Sequence, residues 1–360
     1  MKKINLGLIG FGTVGSGVFN ILRDKKSFLS EKVGMELNIK RICEKDIIVK
    51  KSLSTGRDIF TTDPKAILED PDIDIVIELI GGIHPAKEFI IQAIKKGKNV
   101  VTANKALLAE HGQELFTLAR DYGKSIYFEA AVGAGIPIIK SLRESLVANR
   151  FSGIYGILNG TSNYILSKMS NEGYSFSDAL TQAKKNGFAE KDSSLDINGI
   201  DSAHKLALLV YLCFGKLVDL NNVFVEGISG ISLADTIYAR EMGFTIKLLA
   251  IVKREGQDLE VRVHPTLIPQ EHLLSSVSGV FNAIYVLSDL AGELLFYGPG
   301  AGQKSAASAV VADIVDLTQD IRAGLFKSSL ASLEDKSIKK IRDIDDCESR
   351  YYIRFMALDK

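Results

Sequence analysis

The sequence predicts an α/β fold: an N-terminal doubly wound parallel sheet, then a second α+β unit with its own sheet. Three observations predict it. The apolar run Ile4 to Ile9 leads into G-x-G-x-x-G at Gly10, Gly12 and Gly15, followed by residues at helical spacing. Strand-like runs then alternate with helix-like stretches as far as Glu129, the pattern of a parallel sheet covered on both faces. Beyond Glu129 the alternation breaks, and strand-like runs such as 245–253 and 259–264 follow one another directly.

Each element has a local reason. Leu6, Leu8 and Ile9 mark a buried parallel strand. Gly10 permits a sharp turn, Gly12 lets backbone approach a pyrophosphate, and Gly15 lets helix and strand pack closely. The helix, with Val18, Phe19 and Leu22 on one face, aims its N-terminus at the phosphate charge. Gly10, Phe11, Gly12, Thr13, Val14 and Gly15 are therefore candidate ligands of NAD or NADP in a Rossmann-type unit. A plain tight turn is the alternative. The run 36–43 alternates polar and apolar and reads as the second strand. At its end Glu44 suits a ribose hydroxyl and Lys45 an extra phosphate, so NAD and NADP both stay open. The run 74–80 is the next strand and ends at Gly81-Gly82, where such a sheet places ligands. A helix from His84-Pro85 to about Lys96, a strand over 98–101, a helix over 106–122 and a strand over 125–128 complete the first sheet.

Small residues from Ala130 to Pro137 predict a hinge, followed by a helix to about Val147. A strand over 153–158 runs into Asn159-Gly160-Thr161-Ser162-Asn163, and two or three helices follow to Phe214. These include 178–186 and 200–211. A hairpin turning at Glu255-Gly256 and strands over 281–287 and 293–297 supply the second sheet. Gly300-Ala301-Gly302 leads to a helix, 305–317, expected to return to the first domain.

Lys plus Arg and Asp plus Glu both number 44, so nothing in the charge balance suggests a footprint for nucleic acid or an anionic membrane. No apolar run approaches the ~20 residues of a membrane span. Met1-Lys2-Lys3 enters the first strand with no cleavage site for a secretory leader. Cys43, Cys213 and Cys347 are scattered and odd in number, and neither they nor the five histidines show metal-ligand spacing. A reducing, cytoplasmic setting is expected, with Cys43 and Cys213 as buried structural thiols.

Six short motifs, in order, carry a resemblance. They are Gly10-Phe-Gly-Thr-Val-Gly15, Thr102-Ala-Asn-Lys105, and Glu129-Ala-Ala-Val-Gly-Ala-Gly-Ile-Pro137. They continue with Gly156-Ile-Leu-Asn-Gly-Thr-Ser-Asn-Tyr164, Asp196-Ile-Asn-Gly-Ile-Asp201-Ser-Ala-His-Lys205, and Gly300-Ala-Gly302. From residue 4 to about 318 the chain resembles homoserine dehydrogenases. These reversibly reduce L-aspartate 4-semialdehyde to L-homoserine with NADPH or NADH, in threonine, methionine and isoleucine biosynthesis. Departures are few: Ser305-Ala306 stands where a proline–threonine pair is common.

The resemblance assigns roles residue by residue. Read alone, Asp201 and Lys205 lie one helical turn apart and suggest a surface ion pair. A lysine shielded from water can instead titrate nearer neutrality and move protons. The resemblance makes Lys205 the catalytic lysine and Lys105 a second one near nicotinamide and substrate. It makes Glu190 the ligand of the substrate ammonium, with Asp196 and Asp201 supporting it or orienting Lys205. Helix capping is the plainer reading for Asp192 and Ser193. Gly81, Lys105 and Gly302 correspond to cofactor positions. The backbone carbonyls of Glu129, Val132, Ala134 and Ile136 correspond to a structural sodium site, hard oxygen ligands for a hard cation.

The implied domains are 1–131 with 300–320 for the nucleotide, and 132–299 for catalysis and dimerisation. Residues 321–360 are expected to be a linker plus a remnant first strand, over Tyr351–Leu358, of a truncated ACT-type regulatory domain. A homodimer without threonine feedback is expected. A sugar or polyol oxidoreductase on the same plan would usually carry Glu-Lys-Pro where Asn104-Lys105-Ala106 stands. An inactive NAD-sensing protein would be expected to lack Lys105, Glu190 or Lys205, and all are present.

Overall fold

The strands β1 (Lys3–Ile9), β2 (Glu36–Cys43), β3 (Phe60–Thr61), β4 (Ile75–Glu78), β5 (Asn99–Thr102) and β6 (Ile126–Tyr127) form one sheet in a computed structural model of the chain. Their order is β3-β2-β1-β4-β5-β6, and the pairings are parallel. Strand order reverses at β1 and β4, whose carboxyl ends therefore flank a crevice. The structure describes residues 2–46, 59–325 and 337–355. The chain divides into two units: Met1–Ala148 with Ala207–Leu217 and Gly298–Asp335, and Asn149–Leu206 with Val218–Tyr297 and Lys336–Lys360.

In the first unit, β1 is central and apolar on both faces, with Leu6 and Leu8 fully buried. Helices α1 (Thr13–Asp24), α2 (Lys26–Val33), α3 (Lys65–Leu68), α4 (Ala86–Lys95) and α5 (Lys105–Asp121) connect the strands. The core joins Leu6, Leu8, Ile75 and Ile77 to Val18 and Leu22 of α1 and to Ala307, Val310 and Ile314 of the helix Gln303–Ala323. After α6 (Ile138–Lys140) the expected single helix is not regular. Ser141 Oγ donates to the Pro137 carbonyl, and the Leu146 N–H reaches the Ser141 carbonyl at 2.9 Å, five residues back. The turn Ser141–Ser145 is accordingly a π-turn.

The second unit is built on β7 (Phe151–Ile157). Helices α7 (Gly160–Glu172), α8 (Phe176–Lys185), α9 (Ser194–Ile197) and α10 (Ile200–Phe214), the last as far as Leu206, follow, then β8 (Phe224–Val225) and α11 (Leu233–Glu241). Strands β9 (Phe244–Glu255), β10 (Asp258–Pro269), β11 (Phe281–Ser288) and β12 (Gly292–Pro299) complete a mixed sheet of order β12-β11-β7-β9-β10-β8, and the helix Gln303–Ala323 is α12. Leu249, Ile251, Ile268 and Tyr285 are among the residues of its apolar cluster. The segment Asn159–Asn163 is a helix start: the Asn159 side chain accepts from the Ser162 N–H and caps α7.

In the tail, Ile341 bridges Leu259 in parallel, and Tyr352 and Arg354 reach the Asp235 carboxylate at 3.0 and 3.1 Å. Residues 351–355 carry no strand, and Tyr351, Ile353 and Phe355 are exposed. An extended segment needs a paired neighbour to persist as a strand. The rest of the expected strand, 356–358, lies outside the described residues. No helix among the described residues is long and apolar enough to cross a membrane.

Gly15 carries the closest packing at the crevice: a Cβ built there would lie 2.1 Å from the Gly10 carbonyl oxygen. Gly15→Ala is expected to cost about 1–3 kcal/mol in urea unfolding. It should also weaken NAD(P)H binding, measured by fluorescence titration.

Candidate active site

The crevice end of the first unit is assembled mostly from backbone. Gly10 has φ +97°, the left-handed region that favours glycine, and its N–H donates to the Cys43 carbonyl at 2.9 Å. The Phe11 ring turns inward, edge-on to Phe19 and Phe60, so only its backbone faces the loop. Gly12 is the N-cap of α1, and a Cβ there would meet nothing within 4 Å. That leaves room for a phosphate against backbone N–H groups. Thr13 is exposed and Val14 half-buried at the first helical positions. These residues fit a dinucleotide pyrophosphate. Glu44 lies where a ribose acid is expected, and its carboxylate accepts from Phe11 N at 2.7 Å and Lys45 N at 3.0 Å. It braces the loop from below.

A second acid, which the sequence reading passed over, shapes the neighbouring loop. Glu78 is fully buried; Oε1 accepts from Ile80 N at 2.8 Å and Gly81 N at 3.3 Å, and Oε2 from Thr102 Oγ1 at 2.6 Å. It sets the backbone of Gly81, which has φ +71°. The Asn104 amide donates to the Gly82 carbonyl at 2.6 Å, while its oxygen accepts from Leu107 N and caps α5. Lys105 is thereby the first residue of α5, half-buried, beside the Gly81-Gly82 loop. Gly302 is the N-cap of α12, and the next residue, Gln303, donates to Ser16 Oγ at 3.0 Å. Two helix N-termini thus lie side by side.

The Glu129–Ile136 segment folds back on itself. Gly133 has φ +70° and Ala134 φ +46°, the latter the lone non-glycine residue with positive φ among those described. The buried Glu129 side chain accepts from Ile139 N and Lys140 N, each at 2.8 Å, and its N–H donates to Asp313 Oδ2 at 2.7 Å. Burial pushes both carboxyl groups up, Asp313 strongly. The Glu129 side chain is thus engaged in bracing the backbone of Ile139 and Lys140. The Ile136 carbonyl accepts from Ile138 N at 2.8 Å and keeps a second lone pair.

The second unit holds the charged cluster. Lys205 is 8% exposed; its Nζ donates to the Leu158 carbonyl and to Asp201 Oδ2, both at 2.7 Å. The surface ion pair suggested by spacing alone is therefore a buried one. Asn159 donates to Asp201 Oδ2 at 2.9 Å and to Asp196 Oδ1 at 2.7 Å. The fold brings together Lys205, Asp201 and Asp196, with Asn159 as the link. Glu190 is exposed on the loop before α9, outside this bonded set. That loop is tied to α7 by Thr161 Oγ1, which donates to the Phe188 carbonyl at 2.7 Å. Asp192 accepts from Ser194 N at 3.0 Å, a local turn bond, whereas Ser193 stands at the N-cap of α9 without a side-chain cap.

The cysteines follow from burial. Cys43 is buried and its thiol is pushed up to about 11; Cys213 is partly buried by area but raised further by burial of its thiol. Among the described residues no group of three or more His, Cys, Asp or Glu side chains could hold a metal.

Residues 10–129 match the family model for the homoserine dehydrogenase NAD-binding domain, and residues 137–315 match the homoserine dehydrogenase model. Over 363 residues the chain is 43% identical to a homoserine dehydrogenase of Neisseria gonorrhoeae, covering 100% of this chain and 83% of that protein. A Bacillus subtilis homoserine dehydrogenase is 42% identical over 345 residues, covering 96% and 80%. A crystal structure of a homoserine dehydrogenase from Thiobacillus denitrificans superposes with a TM-score of 0.87 at 47% identity, covering 90% of this chain and 75% of that one. A hyperthermophilic archaeal homoserine dehydrogenase in complex with NADPH gives a TM-score of 0.75 at 30% identity, covering 88% and 98%. The glycine loop at a sheet switch point, with the match to an NAD-binding family model, defines an NAD(P)-dependent oxidoreductase. The chain belongs to the homoserine dehydrogenase family, and homoserine dehydrogenase activity is its activity.

Asp201 is the charged partner of a buried ammonium. Asp201→Ala should lower the unfolding free energy on the order of 3 kcal/mol, because Lys205 is then buried without its counter-charge. Urea titration at neutral pH checks it.

Proposed function

We propose that Lys205 carries the proton in the interconversion of L-homoserine and L-aspartate 4-semialdehyde. In the oxidative direction its neutral amine accepts the proton from the hydroxyl oxygen and becomes the ammonium; in the reductive direction the ammonium returns a proton to the carbonyl oxygen. The bound nicotinamide supplies or takes up the hydride at its C4. The observation that carries the reading is the buried Nζ held by one carboxylate and one carbonyl, each at 2.7 Å. These acceptors fix the position of Nζ, and low exposure limits competition from bulk water for the proton.

Asp201 orients Lys205 directly, and Asp196 acts on it through Asn159. Glu190, exposed and carboxylate-bearing, is left as the group that meets the substrate ammonium, with Asp196 in support. Lys105 stands at the N-terminus of α5 beside the Gly81-Gly82 loop, close to where nicotinamide and substrate carbonyl are expected. Gly10 to Gly15, Gly81 and Gly302 present backbone to the cofactor, which is NADP or NAD. The carbonyls of Glu129, Val132, Ala134 and Ile136 are assigned to a structural Na⁺, supported by the left-handed pair Gly133–Ala134 that folds the loop tightly. The protein is proposed to act as a homodimer through the second-unit sheet.

Lys205→Ala should lower kcat by at least about 100-fold with little change in cofactor affinity, since it removes a group needed in the transition state. Near-parental turnover in a homoserine oxidation assay would remove Lys205 from this role. Glu190→Gln should raise KM for homoserine about ten-fold or more with a smaller effect on kcat, by losing a charged contact to the ammonium. An unchanged KM would count against it.

A further inference from the structure

A second lysine is withdrawn from solvent in the same unit, and no step above uses it. Lys247 on β9 is 2% exposed. Its Nζ donates to Asn163 Oδ1 at 3.2 Å and contacts the Val277 carbonyl. Burial holds its pKa down, to about 8. A cation at such a position costs desolvation that an apolar side chain would avoid, so its contacts invite an explanation.

Those contacts lead to Lys205. Because Asn163 Oδ1 faces the ammonium, its Nδ2 is turned to the Phe281 carbonyl, 3.1 Å away. A flipped amide would set donor against donor. Ser167 Oγ also accepts from Gly279 N at 3.2 Å, so residues 277–281 are seated on α7. The next residue, Asn282, is fully buried and donates to the Leu158 carbonyl at 2.9 Å. That is the carbonyl to which Lys205 Nζ donates.

We propose that Lys247 is a positioning residue for the dehydrogenase reaction. It locks the Asn163 amide and the seat of residues 277–282, and through Asn282 it fixes the Leu158 carbonyl that aims Lys205. The inference rests on Lys205 as the proton carrier.

The test is homoserine oxidation across pH with Lys247→Met and Asn163→Asp, each first checked for folding by thermal unfolding. The second variant keeps its volume and can pair with Lys247, but loses the donor to Phe281. Both should lose on the order of ten-fold or more in kcat, as misaligned reacting groups do. Both should displace the limb of the pH–rate profile that Lys205→Ala abolishes, and leave KM for the cofactor within about two-fold. A folded variant with parental kcat and parental profile overturns the proposal. So does failure of both to fold, which makes the lysine a determinant of the fold alone. If Lys205→Ala itself keeps its turnover, the proton-carrier reading fails instead.

Discussion

An ammonium taken out of water must find its partners within the protein, and the second unit is arranged around that demand at Lys205. Desolvating such a charge costs several kcal/mol, and charge-assisted hydrogen bonds return about 1.5–3 kcal/mol each. Two contacts at 2.7 Å therefore come near to offsetting it, provided that both acceptors are held still. Asp201 is held by its place one turn earlier on α10 and by Asn159. Leu158 is the residue between the end of β7 and the Asn159 cap of α7. The strand end, the helix start and the lysine thus share one hydrogen-bonded set, and a displacement of any member reaches the others.

The first unit meets a related demand without a cation. The surface proposed for its cofactor is backbone, and N–H groups can receive an anion only where the protein leaves them open. Two acids fix the loops beside that surface: the half-buried Glu44 takes the Phe11 N–H, and the buried Glu78 takes those of Ile80 and Gly81. Each carboxylate uses N–H groups next to, rather than at, the open Gly12 position. The loop is stiffened while its phosphate-facing side is left open.

What the sequence made legible follows the range of the interactions concerned. β2 falls on 36–43 as expected, because alternation and the flanking turns are local. The glycine loop, α1 and the β9–β10 hairpin are likewise encoded in short stretches. The π-turn at Ser141–Ser145 was not visible, since it depends on one hydroxyl competing for a helical carbonyl. Glu78 could have been noticed as an acid closing an otherwise apolar strand. Asn159 sat in a recognised motif, yet its bonds run to residues 37 and 42 positions later, and no local pattern reports them. Spacing placed Asp201 beside Lys205 but could not tell a solvated pair from a buried one; that depends on distant partners such as the Leu158 carbonyl, 47 residues earlier in the chain.

The same reasoning separates the three acids grouped with Lys205. A carboxylate that binds a substrate ammonium must be able to exchange water for substrate, so it cannot already be saturated by internal donors. Asp201 accepts from both Lys205 and Asn159 on one oxygen and is 7% exposed, which suits an orienting group. Asp196 is half-buried and accepts from Asn159, an intermediate case. Glu190 is exposed on a loop whose neighbours Phe188 and Ala189 are anchored by Thr161 and by burial. An anchored backbone with a solvated carboxylate has the least to lose on meeting a charged ligand. Loop geometry and solvation, more than charge, are what support the proposed substrate contact at Glu190.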